Sequence, residues 1–149
     1  AEAMKISKDG YITQAKQCSF CAEKNGTGST PNTVNATQVF QTEVFDVGGN
    51  YDNSTGVFTA PVAGKYFFYV QMLTNSTDNR CLLFFNKNDS SNVMEISATS
   101  QNYNSIKSSI LISLAANDTM RVKNHSSSSH TKLYSDSSYQ NQFMGWLVC

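Results

Sequence analysis

The apolar positions of this chain do not repeat with a helical period. They come instead as short runs rich in β-branched and aromatic residues, separated by clusters of Asn, Ser, Gly and Asp. The runs are TQVFQTEVFDV, GVFTAPV, KYFFYVQML, CLLFFNK, SILISLA, TMRVK, KLYS and NQFMGWLV. Short strands at such spacing predict an all-β sandwich or barrel. Residues 1–17 mix polar and apolar positions without clear period and read as an N-terminal arm or linker, leaving residues 18–149 as the globular domain. NGTGSTPN at 25–32 and the low-complexity NHSSSSH at 124–130 read as loops.

Two runs break the alternation expected of a strand with one wet face. Side chains of an extended strand point to opposite faces in turn. From Tyr66, one face carries Tyr66, Phe68, Val70 and Met72, and the other Phe67, Tyr69, Gln71 and Leu73. NQFMGWLVC doubles in the same way, with Phe143, Gly145, Leu147 and Cys149 against Met144, Trp146 and Val148. In a two-sheet sandwich one apolar face meets the other sheet. The second face needs a further partner, and another subunit is the economical one. TMRVK, by contrast, alternates as a half-wet strand should. The punctuation fits as well: Gly56 can supply the positive φ of a tight turn, Pro61 suits a strand end, and Gly64 fits a turn feeding the doubly apolar strand.

Composition narrows the function. The chain has 149 residues, enough for one domain with its own core. Eleven Lys and Arg balance eleven Asp and Glu, which argues against nucleic acid or an anionic membrane as the main partner. No apolar run approaches the length of a membrane-spanning helix, and membrane insertion is not expected. Four cysteines, Cys18, Cys21, Cys81 and Cys149, permit three pairings as two disulfides. Glycosylation sequons begin at Asn25, Asn35, Asn53, Asn75, Asn88, Asn117 and Asn124. Both signals point to a secreted, extracellular protein.

Chemistry-bearing motifs are sparse. Cys18 and Cys21 with His125 and His130 spell C-x2-C and H-x4-H, but more than a hundred residues intervene where a zinc finger needs about a dozen. No G-x-S-x-G elbow is present. The Gly48–Gly49 pair has no following Lys or helix to make a phosphate loop. The acids sit mostly beside turn formers. No enzyme activity, cofactor or metal is expected.

The residues around the doubly apolar strand carry a resemblance. VFDVGGNYDNSTGVFTAPVAGKYFF is similar to the central pattern of the globular C1q domain, within the tumour-necrosis-factor-like jelly-roll superfamily. The matching positions are Gly48, Tyr51, Asp52, Thr55, Gly56, Phe58, Pro61, Gly64, Tyr66 and Phe68, with Asp46 where the family usually has Asn. CSFCA matches the first strand at Phe20. LFFNKND keeps Asn88, LISLAANDTMRV keeps Asp118, and FMGWL resembles the closing segment. The match spans about residues 18–149. No Gly-X-Y repeat precedes it, which implies a head-only form, closer to an invertebrate secreted member.

The resemblance implies a ten-stranded jelly-roll β-sandwich and a compact homotrimer. Phe20, Tyr66, Phe67, Phe68, Tyr69, Phe143 and Trp146 are then the aromatics of core and trimer interface. Because the family pairs its first and last strands antiparallel, it also implies a Cys18–Cys149 disulfide. Calcium is not carried over, since the loop where family members bind it reads ATSQNYNSIKSS here and lacks a carboxylate. That loop offers Gln101, Asn102, Tyr103 and Asn104, and the later LYSDSSYQNQ offers Tyr134, Asp136 and Tyr139. Amides, hydroxyls and a stacking ring suit sugar hydroxyls and faces. The functional expectation is a lectin-like pattern-recognition protein of innate immunity, binding carbohydrate or microbial surface ligands through these loops. The alternative is a structural extracellular or shell-matrix protein assembling through the trimeric domain.

Overall fold

A computed structural model describes residues 4–14, 16–24, 29–30, 35–74, 80–99, 104–124, 133–134 and 140–149. Among them there is no α-helix. The strands are β1 (Lys5–Ile6), β2 (Ile12–Thr13), β3 (Ser19–Glu23), β4 (Ser29–Thr30), β5 (Thr42–Val47), β6 (Tyr51–Asp52) and β7 (Val57–Thr59). They continue with β8 (Gly64–Thr74), β9 (Arg80–Lys87), β10 (Ser91–Thr99), β11 (Asn104–Leu114), β12 (Thr119–Asn124), β13 (Leu133–Tyr134) and β14 (Gln142–Leu147). A seven-stranded sheet runs β4-β13-β8-β14-β3-β5, with β11 on the other side of β8. A five-stranded sheet runs β10-β9-β12-β7-β6. The pairings are antiparallel, and the two sheets close on one core as an all-β jelly-roll sandwich.

The core explains which face of β8 is which. Tyr66, Phe68 and Met72 are fully buried and Val70 nearly so, packed against Phe58, Leu83, Phe85, Met120 and Val122 from the other sheet. Phe20 of β3 stacks on Tyr51 at 4.7 Å between ring centroids and meets Phe143 edge-on at 5.0 Å. The expected interface-or-core aromatics therefore divide cleanly: Phe20, Tyr66, Phe68 and Phe143 are core. Phe67, Tyr69 and Trp146 lie on the outside of the seven-stranded sheet, half-buried or exposed. β12 alternates as anticipated, with Met120 and Val122 inward and Arg121 and Lys123 reaching Asp89 on the outside.

Gly145 sits on the core face of β14, opposite Phe20 on one side and Phe68 on the other. A Cβ there would lie 2.5 Å from Phe68 Cδ1 and 2.9 Å from Phe20 Cε1, so the two rings occupy the space a side chain would need. Gly56 has φ 76° and supplies the turn conformation expected of it. Gly64 does not act as a turn residue. It opens β8 and lets the chain end pass close, since a Cβ would come within 2.8 Å of the Cys149 carbonyl oxygen. Pro61 lies between β7 and β8, clear of both ladders.

Within the segment expected as an arm or linker, the described residues include two short strands. β1 and β2 form a separate hairpin closed at Gly10, whose N–H donates to the Ser7 carbonyl at 3.0 Å. The Ser7 N–H donates to the Tyr11 carbonyl at 2.8 Å.

Candidate recognition surfaces

Register defines the outer face of the seven-stranded sheet row by row. One row reads Leu111, Phe67, Trp146, Ser19, Val47 across β11, β8, β14, β3 and β5. The next reads Ser109, Tyr69, Met144, Cys21, Phe45, and the one after it Lys107, Gln71, Gln142, Glu23, Thr42. The first two rows are largely apolar and incompletely covered: Trp146 is 39% exposed, Phe45 49% and Leu111 59%. Phe67 and Trp146 rings pack at 4.6 Å. The third row is polar and internally bonded, Gln142 Nε2 donating to Glu23 Oε1 at 2.8 Å. The face thus grades from aromatic, toward the chain termini, to amide and carboxylate toward the opposite end.

At that opposite end, described strands adjoin the candidate ligand stretches in sequence. Thr74, the last residue of β8, pairs with Asn104 on one side and Leu133 on the other. Asn104 opens β11 directly after 101–103, and β13 ends at Tyr134 directly before 135–139. The described strands thus place Asn104 and Leu133 on the two flanks of Thr74, and β13 runs from there back toward Leu73. Gln101, Asn102, Tyr103, Asp136 and Tyr139 lie outside the described residues, and Tyr134 is described only by its backbone pairing with Leu73. Asn141 is the anchor that the sequence did not single out. It is fully buried, and its Oδ1 accepts the Leu73 N–H at 2.7 Å.

The cysteines correct one expectation. Cys18 and Cys149 are both free thiols, Cys18 buried and Cys149 exposed, so the Cys18–Cys149 disulfide is not formed. The register is the reason. Trp146 opposes Ser19, and the Leu147 N–H donates to the Cys18 carbonyl at 3.0 Å, which leaves Cys149 two residues beyond. Two residues of strand rise set against one interstrand spacing separate the Cα atoms by on the order of 8 Å, too far for a bridge. The Cys149 carbonyl is instead bonded by the Lys65 N–H at 2.7 Å. Burial, with the Asp46 carboxylate adding, pushes the Cys18 thiol up to about 11, against a smaller opposing hydrogen bond from Asn50. Burial, with Glu23 adding, raises Cys21 as well. Neither thiol is a ready nucleophile.

The sequons also sort by structure. Asn35 and Asn117 are exposed, Asn53 half-exposed. Asn88 is exposed but holds a turn, donating to Asp118 Oδ1 and accepting the Thr119 N–H, each at 2.7 Å. Asn124 is 2% exposed, with Gln38 Nε2 donating to its Oδ1 at 2.6 Å, and this packing leaves no room for a glycan. Asn25 and Asn75 lie outside the described residues. At the same end as the termini, Asp118 is drawn down to about 2 by its bond from Lys87, then by Asn88 and the Ala115 N–H. Both histidines lie outside the described residues, and among those described no group of three His, Cys, Asp or Glu could hold a metal. Among the described residues no helix is long and apolar enough to cross a membrane, which says nothing of β-barrels.

Two antiparallel sheets closing on an aromatic core, with β3, the first strand of the sandwich, paired to the last strand β14, define a jelly-roll sandwich of the tumour-necrosis-factor-like type. Solved structures of that class superpose on it. The globular domain of zebrafish complement 1qA protein matches at TM-score 0.70 and 17% identity, covering 89% of this chain and 98% of the other. Eiger TNF from S. frugiperda matches at 0.70 and 13%, covering 89% and 94%. Murine APRIL matches at 0.67 and 15%, covering 89% and 100%. A comparison with curated proteins finds no match. The C1q domain model matches residues 19–148, and the chain belongs to the C1q domain family.

Proposed function

We propose that this chain is a secreted recognition protein that assembles as a homotrimer and binds glycans or microbial envelope molecules through its surface loops, without performing chemistry. The observation that carries the reading is the two-part character of the seven-stranded sheet. Its outer face presents Phe67, Trp146, Leu111 and Phe45 incompletely buried on neighbouring strands, the kind of contiguous apolar surface that marks an interface. Its far end carries Asn104 beside Thr74, next in sequence to the amide-rich 101–103, and the later tyrosine-bearing stretch follows Tyr134 in sequence. The outer face suits burial against a like subunit, and the loops suit hydroxyl-rich ligands.

Zero formal charge disfavours purely electrostatic capture of polyanions. Exposed Asn35 and Asn117 are the sequons best placed to carry glycans. Sedimentation followed by a glycan array on the purified assembly tests the reading. A trimer retained by a restricted set of glycans or by microbial cells supports it. A monomer, or a trimer that nothing retains, rejects it, and assemblies beyond the trimer would favour a structural matrix role.

A further inference from the structure

The β1–β2 hairpin is apolar on one side, and that side is uncovered. Ile6 opposes Ile12, and Lys5 opposes Thr13. Ile6 and Ile12 therefore form a cross-strand pair, with Met4 two residues back on the same side; Lys5, Ser7, Tyr11 and Thr13 take the other. Met4, Ile6 and Ile12 are 53%, 61% and 62% exposed. A two-stranded hairpin is marginal in water unless one face is packed. Yet the local chemistry specifies this one closely. Gly10 adopts φ 83°, and Ser7 Oγ accepts the Tyr11 N–H at 3.1 Å in addition to the two backbone bonds. Sequence and geometry thus build a hairpin whose packing partner is not found among the described residues of its own chain.

The hairpin leads somewhere definite. Gln14, the residue directly after β2, lines a groove of about 410 Å³ together with Gln17, Ser19, Val47 and Trp146. Ser19, Val47 and Trp146 belong to the Phe67 row of the outer sheet face. The groove therefore runs from the end of the hairpin, at Gln14, to the aromatic end of the sheet.

We propose that the hairpin is an interaction arm. Its Met4–Ile6–Ile12 side docks on a second copy of this chain, extending the trimer interface past the domain proper. The inference rests on the trimer reading above. Continuity with the sheet face selects a like subunit as the occupant. The charged residues Lys5, Lys8 and Asp9 lie on the opposite side or in the turn, and Lys8 is already paired with Asp9 at 2.7 Å.

The test is the Ile6→Ser/Ile12→Ser double variant, with Tyr11→Ser as the control from the hairpin's other side. Both lie outside the sandwich core, so circular dichroism should show an unchanged fold. Sedimentation equilibrium should find the trimer loosened by roughly tenfold for each isoleucine, about a hundredfold in all, with Tyr11→Ser near wild type. Hydrogen exchange should show the β1 and β2 amides protected in the wild-type trimer and unprotected in the double variant. Equal trimer affinity in the double variant overturns the docking. So does protection gained only on phosphatidylserine-containing vesicles, which would assign the arm to a membrane. A monomeric wild type instead overturns the trimer reading itself.

Discussion

Replacing Gly145 by Ala sets two physical effects of opposite sign against each other. Glycine inside a strand costs about 0.5–1 kcal/mol relative to alanine through backbone entropy, so propensity alone expects stabilisation. Packing expects the reverse. The new Cβ would sit 2.5 Å from Phe68 Cδ1, 2.7 Å from its Cε1 and 2.9 Å from Phe20 Cε1. Carbon contacts are comfortable near 3.5 Å or more, so the rings must retreat by roughly 1 Å. They have little room to do so. Phe20 is held between Tyr51 at 4.7 Å and Phe58 at 5.2 Å, Phe68 meets Phe58 at 5.3 Å, and both are at most 1% exposed. Overpacking of this kind costs about 1–3 kcal/mol, so after the entropy gain of about 0.5–1 kcal/mol the net loss centres on about 1 kcal/mol and reaches at most about 2.5. For a chain of this length the melting temperature should fall by roughly 3–8 °C. The denaturation midpoint should fall without change in slope. Thermal melts at fixed protein concentration measure it, because oligomer stability depends on concentration. Phe68→Leu should cost less when combined with Gly145→Ala than in wild type, since the leucine vacates the contested space. A melting temperature at or above wild type for Gly145→Ala would refute the packing account.

Two further outcomes follow from the cysteines and carboxylates. In the folded protein at pH 8, iodoacetamide should label Cys149 readily and leave Cys18 unlabelled until denaturant is added, because Cys18 is 3% exposed with its thiol pushed up to about 11; mass spectrometry of tryptic peptides reads both sites. Asp118 and Asp52 are both held at about 2, below the ordinary 3.8. Their stabilisation is present above pH ~4 and is lost as pH falls through the folded values near 2, so Asp118→Asn should reduce the loss of denaturation midpoint between pH 5 and pH 2.

Much of the sandwich was legible because β-structure writes itself in alternation. Doubly apolar β8 and β14 announced a face needing a partner, and half-wet β12 announced its orientation. Which face of β8 met the core was not legible: Tyr66 to Leu73 carries aromatics on both sides, and only the pairing of Gly145 with Phe68 and Phe20 decides it. The missing disulfide turned on a register difference of two residues, which residue types cannot report. The hairpin, by contrast, was readable. KISKDGYIT places Asp-Gly between short alternating runs, a local signal that the surrounding polar residues obscured. Asn141 carried no signal of its own, since its role depends on a β8 backbone group far away in sequence. Of the candidate ligand residues, the sequence supplied types, and the structure supplied only the pairing of their neighbours Asn104 and Leu133 with Thr74.

Trimeric assembly would change how strongly such loops bind. A three-fold axis along the outer sheet face would leave all three loop ends pointing the same way, since cyclic symmetry keeps like ends together. Each shallow site alone should be weak, because few contacts offset the cost of ordering. Three sites on one rigid base raise binding to a repetitive surface by effective concentration, commonly by a factor of about 10²–10⁴. Phe67→Asp separates the two contributions. Phe67 is half-buried on the outer face beside Trp146, so the fold should survive, while a carboxylate buried unpaired in the interface costs on the order of several kcal/mol. Phe68→Asp, in the core, should unfold the chain instead. The Phe67→Asp monomer should keep the wild-type affinity for a single soluble sugar and lose most of its retention on glycan-coated beads or cells. Loss of the single-sugar affinity as well would move the site onto the sheet face, and undiminished retention by the monomer would remove the need for a trimer in recognition.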